Sequence, residues 1–285
     1  MGIRKVAYMR QYYSQLGEDY ILWSLFQTQG EPGFFVEVGA LDGLRFSNTY
    51  SFEQAGWRGV CVEAHPDYID LLQRNRPGSR CFFAAAGDHE GEVTFYTNKR
   101  GSLSTLDPSL EAEFRKHGKY FTGFEPKVVP MRTLNSILEE AQTPTPIDIV
   151  SIDVEGAEMQ VMRGFDLAKF QPRILVLEAM GTDFEQDLAQ YMSGQGYAKA
   201  KEWNGNIFYC RSESDVTTLS KTAVECIITH LPHPLDRHQE PRRFMISETK
   251  SRTIIPLDEY PVVYFLRRLG KRVKILAKQL QTRLG

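Results

Sequence analysis

The sequence predicts an α/β fold, with a mostly parallel sheet, helices on both of its faces, and an antiparallel closing strand. Three observations predict it. Near-continuous apolar runs recur at 33–40, 59–65, 80–88, 147–156 and 173–179, as strands buried on both faces require. Helix-like segments alternate with them at 17–29, 47–56, 66–75, 134–142, 157–165 and 183–196. The last two strand-like runs, 197–203 and 206–211, are joined by Asn204-Gly205, a tight-hairpin signal.

Each element has its own justification. The first helix carries Ile21, Leu22, Leu25 and Phe26 at helical spacing. The second opens on Ser47 and ends at Gly56. The run 92–98 reads as an extra hairpin strand. Residues 99–130 mix glycine, serine, proline, charge and aromatics, and read as an insertion, either a substrate lid or a passive surface loop. The main domain is therefore expected to span 1–211, with an extension over 212–285. In that extension His230, His233 and His238 lie in a proline-rich stretch and are read as unliganded. The end, 262–284, is a basic amphipathic helix with an apolar stripe from Val262 to Leu280. Its seven positive charges leave the remaining residues at −9. Such a helix suits peripheral contact with an anionic membrane, packing on its own domain, or self-association.

Composition narrows the function. The chain has 285 residues, 42% of them hydrophobic, enough for one large domain with an appendage. A net charge of −2 carries no nucleic-acid signature. No apolar run reaches the length of a membrane span. The N-terminus lacks a signal-peptide core, and Val6 breaks the myristoylation pattern. The four cysteines, at 61, 81, 210 and 226, form no Cys-x-x-Cys pair and read as buried thiols. These features predict a cytoplasmic protein, with a membrane surface as the alternative location.

The strand ends carry the chemistry. Ligands of open α/β sheets bind at the carboxyl ends of the strands. Here those ends deliver Glu37, Gly39 and Asp42, then Glu63 and His65, then Asp88, then Asp153 and Glu155, then Glu178. One such acid could simply cap a helix, but five strand ends each bring one. The glycines do not form the Gly-x-Gly-x-x-Gly of a dinucleotide site. An acid-lined pocket suits a ligand with positive charge and hydroxyls, such as S-adenosylmethionine. Gly39 would allow close backbone approach, and Glu63 would accept the ribose hydroxyls.

The segments YSQLGED (13–19), FVEVGALDG (35–43), SNTYSFE (47–53), GWRGVCVEAHP (56–66) and IDVEGAEMQVMRGF (152–165) together resemble the FkbM family of class I S-adenosylmethionine-dependent methyltransferases. The resemblance covers roughly residues 12–211. It implies a seven-stranded Rossmann-like sheet and methyl transfer to a hydroxyl of a sugar, glycolipid or natural product. It places Glu37, Gly39, Ala40, Asp42, Asn48, Glu63, Ala86, Asp88 and Asp153 around the cofactor. His65 departs from the family pattern and becomes a catalytic candidate.

Methyl transfer needs an aligned acceptor and a way to remove its proton. Asp153, Glu155 and Glu178 are the catalytic candidates. Asp153 or Glu155 acts as general base, or Asp153 and Glu178 hold Mg²⁺ or another divalent cation that activates the oxygen. The expected partner is a small-molecule or saccharide acceptor. The alternative is a catalytically inactive cofactor-binding or membrane-associated interaction protein on the same fold.

Overall fold

The computed structural model describes residues 10–179, 182–236, 238–248 and 253–256. Its strands are β1 Phe34–Val38, β2 Arg58–Glu63, β3 Ser79–Phe83, β4 Ala85–Gly87, β5 Gly91–Asn98, β6 Phe124–Thr133, β7 Ile149–Ile152, β8 Ile174–Glu178, β9 Ala198–Trp203, β10 Asn206–Cys210, β11 Glu225–His230, β12 Arg242–Ser247 and β13 Thr253–Pro256. Its α-helices are α1 Glu18–Phe26, α2 Tyr50–Glu53, α3 Ile69–Asn75, α4 Glu111–Phe114, α5 Leu134–Glu140, α6 Glu158–Arg163, α7 Leu167–Phe170, α8 Thr182–Gly194 and α9 Glu213–Lys221.

Seven strands form the main sheet in the order β3-β2-β1-β7-β8-β10-β9. All neighbours are parallel except β10, which runs antiparallel to both β8 and β9. This is the Rossmann-like sheet expected. The turn between β9 and β10 has Asn204 at φ 49° and Gly205 at φ 81°, the left-handed pair that a two-residue hairpin demands.

Strand alternation divides the core between two faces. Val36, Val38, Val150, Ile152, Leu175 and Leu177 pack on the face covered by α5 and α6. Phe35, Ile149, Ile174 and Val176 pack on the other, with α1. Glu37, Ser151 and Glu178 share the parity of this second set, so polarity gathers at its strand ends.

The run 80–88 divides where a single strand was expected. The small residues Ala84–Gly87 carry the chain away from β2, and β4 pairs with β6 in a second sheet, β4-β6-β5. The ten-residue β6 falls partly in the expected insertion. Pro126 and Pro130 disguised it; they are tolerated because β4 pairs only with Met131–Thr133, so the rest of β6 has one neighbour.

The chain after Arg211 adds α9 and the antiparallel sheet β11-β12-β13. Leu219, Val224, Cys226, Ile228 and Ile246 bury in the same core as Ile21 and Leu22 of α1. The expected basic helix 262–284 lies outside the described residues. Among the described residues no helix is long and apolar enough to cross a membrane.

Candidate active site

A cavity of about 690 Å³ opens at the carboxyl ends of β1, β2, β7 and β8. Its floor is the turn after β1. Gly39 has φ +82°, and a Cβ there would lie 1.8 Å from the Asp153 carbonyl oxygen. The glycine is thus required by the crossing of the β1 and β7 loops, where the sequence suggested approach of a ligand. The Gly39 and Ala40 amides both donate to the Val62 carbonyl, at 3.0 and 3.1 Å.

Glu37 lines the cavity with its hydrogen-bonding capacity already committed. Its carboxylate accepts from Ser47 Oγ, the Asn48 amide and Thr49 Oγ1 at 2.7–2.9 Å. Arg76 Nη1 adds an ion pair at 2.9 Å, and Arg76 Nε pairs with Glu53 at 2.7 Å. Arg76 is fully buried. The group pins the 47–49 segment against β1. It also presents Asn48 to the cavity, where Asn48 Nδ2 donates to Ser151 Oγ at 3.0 Å.

Glu63 is held differently. One carboxylate oxygen accepts the Leu41 amide at 2.5 Å, and the other accepts the His65 amide at 2.6 Å. Each oxygen retains acceptor capacity, and the residue lines the cavity. Burial pushes its pKa up to about 7 against those two donors. Beside it Val62, Ala64, Ala84, Ala85, Ala86 and Phe95 make an apolar slot.

The other end is acidic. Asp153 is exposed to the cavity at the end of β7. The protein around it raises its pKa, a hydrogen bond from Glu178 lowers it, and the charge of Glu37 raises it. Glu178 is driven well above the carboxylate range by burial, then by Asp153 and its neighbours. Glu155 sits in left-handed backbone at φ 55° and accepts the Leu103 amide at 3.2 Å. Burial and the Asp153 charge push it up to about 8. Glu158 lies behind this wall, accepts the Val154 and Gly156 amides, and is pushed up to about 7 by burial.

Three sequence candidates stand elsewhere. His65 is 2% exposed, and both ring nitrogens are engaged, Nε2 at 3.2 Å from the Asn98 carbonyl and Nδ1 accepting the Asp67 amide at 3.2 Å. It does not line the cavity. Asp42 is buried with its oxygens committed to the Leu44 and Arg45 amides and to Arg45 Nε at 2.8 Å. It locks the turn and does not line the cavity. Asp88 is on the surface with His89, Gln160 and Arg163, away from the cavity-lining Ala86. Among the described residues no group of three or more His, Cys, Asp or Glu side chains is arranged to hold a metal ion. Asp153 and Glu178, expected as metal ligands, line the cavity together and each raises or lowers the other's pKa.

Other residues were missed. Arg76 has partners remote in sequence and left no local signal. Ser151 was readable as the polar interruption in an apolar strand. Gln15 reaches the cavity from the YSQLGED segment, Phe46 from the residue before SNTYSFE, and His230 from the extension, none of them marked as a site residue by its own type.

A family model described as the methyltransferase FkbM domain matches residues 37–199. The chain belongs to this family. The FkbM domain thus contains the β1 turn, Glu63 and the whole acid cluster, while Gln15 and His230 flank it from outside. No curated protein matches the sequence. Among solved structures, the chain is similar to a precorrin-6y C5,15-methyltransferase from Geobacter metallireducens GS-15, with 12% identity, TM-score 0.36, and 67% of this chain and 84% of that one covered. It is similar to the METTL16 methyltransferase domain at 12% identity and TM-score 0.40, over 68% of this chain and 67% of that one. A ribosomal protein L11 methylase from Lactobacillus delbrueckii subsp. bulgaricus aligns at 8% identity and TM-score 0.35, over 66% of this chain and 74% of that one.

Proposed function

We propose that this FkbM domain methylates a hydroxyl oxygen of a saccharide or related natural product, using S-adenosylmethionine. The observation that carries the cofactor reading is Glu63, whose carboxylate is fixed by two amides and keeps an acceptor position on each oxygen at the cavity wall. That pair of acceptors fits the two hydroxyls of a ribose. The alanine-walled slot beside Glu63 suits adenine, and Gly39, Ala40 and Asn48 would border the methionine portion. Asp42 would contribute at one remove, by holding the turn.

S-adenosylmethionine supplies, when bound, a methyl group on a sulfonium that needs no protonation to leave. The protein's remaining task is to orient a hydroxyl and take its proton. Asp153 is the base in this reading. On the same reading Glu178, driven well above the carboxylate range, is protonated and donates a hydrogen bond to Asp153, which leaves Asp153 ionised at the cavity. A carboxylate whose pKa is raised is the better base. Glu155, protonated at pH 7, can donate a hydrogen bond to the acceptor.

The test is calorimetric titration with S-adenosylhomocysteine, with NAD as control and with EDTA or Mg²⁺ added. Wild type should bind the homocysteine compound alone. Glu63→Gln should weaken it about tenfold or more, since one ribose hydroxyl loses a charged acceptor. Asp153→Asn should keep affinity within a few-fold and lower turnover by about 10²-fold or more. Equal affinity of Glu63→Gln and wild type would overturn the cofactor geometry.

A further inference from the structure

Part of the cavity wall lies outside the family match of 37–199. Gln15 and His230 both line it. They are brought there by chain pairing at the sheet periphery. Tyr12 bridges Ile228 in parallel, Ser14 bridges Phe46, and the Thr229 amide donates to the Tyr12 carbonyl at 2.7 Å. His230 Nε2 then lies 2.8 Å from the Gln15 carbonyl oxygen.

That contact fixes the tautomer. A carbonyl can only accept, so Nε2 carries the hydrogen. Burial holds the ring below its ordinary pKa, so it is neutral and Nδ1 keeps its lone pair. Phe46 stands edge-to-face against His230, with centroids 5.1 Å apart, and Phe244 packs on the same imidazole at 4.8 Å. Phe46 itself has φ 60°, a backbone state that L-residues with a Cβ rarely adopt, and is 39% exposed at the cavity. Phe46 thus offers an apolar ring to the cavity from a strained backbone state of the kind that clusters at ligand sites.

This wall belongs to the acidic end. Phe46 precedes the Ser47-Asn48 segment, and Asn48 bonds Ser151, two residues before Asp153. The apolar slot beside Glu63 is built from other residues.

We propose that Phe46 and His230 form the acceptor subsite, with Phe46 taking the C–H face of a pyranose ring and His230 Nδ1 accepting a hydrogen bond from one of its hydroxyls. The proposal rests on the methyl-transfer reading above and names the acceptor's chemistry. Electropositive C–H groups attract the negative face of an aromatic ring. Asp153 and His230 line the same cavity and offer acceptors, which suits a ligand with several hydroxyl donors better than one with a single phenol.

The experiment is saturation-transfer NMR on full-length protein loaded with S-adenosylhomocysteine. The probes are the methyl glycosides of α-D-glucose, α-D-mannose and α-L-rhamnose, with catechol as the phenolic comparison. A transfer assay by S-adenosylhomocysteine release follows with the best glycoside. At least one glycoside should give signal through its ring C–H protons. Phe46→Ala should raise its KM about tenfold or more while the affinity for S-adenosylhomocysteine stays within twofold. Phe46→Tyr should retain the wild-type KM. His230→Ala should lower kcat/KM for the glycoside, and His230→Asn, which restores an acceptor near Nδ1, should recover part of it. Retained S-adenosylhomocysteine affinity in each variant shows that the fold survives the change. Glycoside binding unmoved by Phe46→Ala would overturn the subsite, as would signal from catechol alone, or from no probe, on protein that binds S-adenosylhomocysteine. Absence of S-adenosylhomocysteine binding in wild type would instead overturn the cofactor reading, and this proposal with it.

Discussion

Arg76 has 0% of its surface exposed, and its guanidinium bonds Glu37, Glu53, Ser47, Thr49 and the Gly43 carbonyl. Two carboxylates against one guanidinium leave that pocket anionic. Removing the cation would strand both acids in a buried site. Arg76→Met should therefore cost about 3–5 kcal/mol, seen as a fall in Tm of roughly 10 °C. Arg76→Lys should recover little, because a point charge cannot replace a planar fork with five donors. Gly39→Ala should fail to fold stably, since its Cβ would meet the Asp153 carbonyl and no flexible side chain can yield there. The carboxylates could be found in the sequence because strand ends mark them. Their partners could not, since Arg76 reaches Glu37 across 39 positions. His65 misled for the same reason: its position predicts a cavity group, and only the fold reveals that Asn98 and Asp67 occupy its ring nitrogens.

Among the elements, the parallel strands were readable because burial on both faces leaves continuous apolar runs. The β9–β10 hairpin was readable because Asn-Gly accepts left-handed backbone. Gly205→Ala should lower stability by about 1 kcal/mol in urea titration, the cost of forcing a Cβ into that conformation. The second sheet was hidden by the prolines of β6, and β11–β13 by the proline- and histidine-rich composition around them. The core shows what that concealment cost. Val224, Cys226 and Ile228 complete the packing on α1, so a chain cut after Arg211 should expose α1. It should lose the cooperative thermal transition of the full-length protein.

Over the whole molecule, the raised carboxyl groups set a pH dependence. Glu63 and Glu158 titrate at about 7 and Glu155 at about 8 in the folded chain, against 4.5 when unfolded. The folded state thus binds more protons across that window, and stability falls as pH rises from about 4.5 to 8. Ligand-free protein should melt higher at pH 6 than at pH 8. A bound sulfonium opposes this by favouring ionised acids. S-adenosylmethionine should bind more tightly at pH 8 than at pH 6, with a steeper slope than S-adenosylhomocysteine, which lacks that charge. The contact between Gln15 and His230 spans 215 positions. During synthesis the first of these leaves the ribosome long before the second. The wall that would receive the acceptor is therefore completed last, after the elements that would grip the cofactor have already emerged.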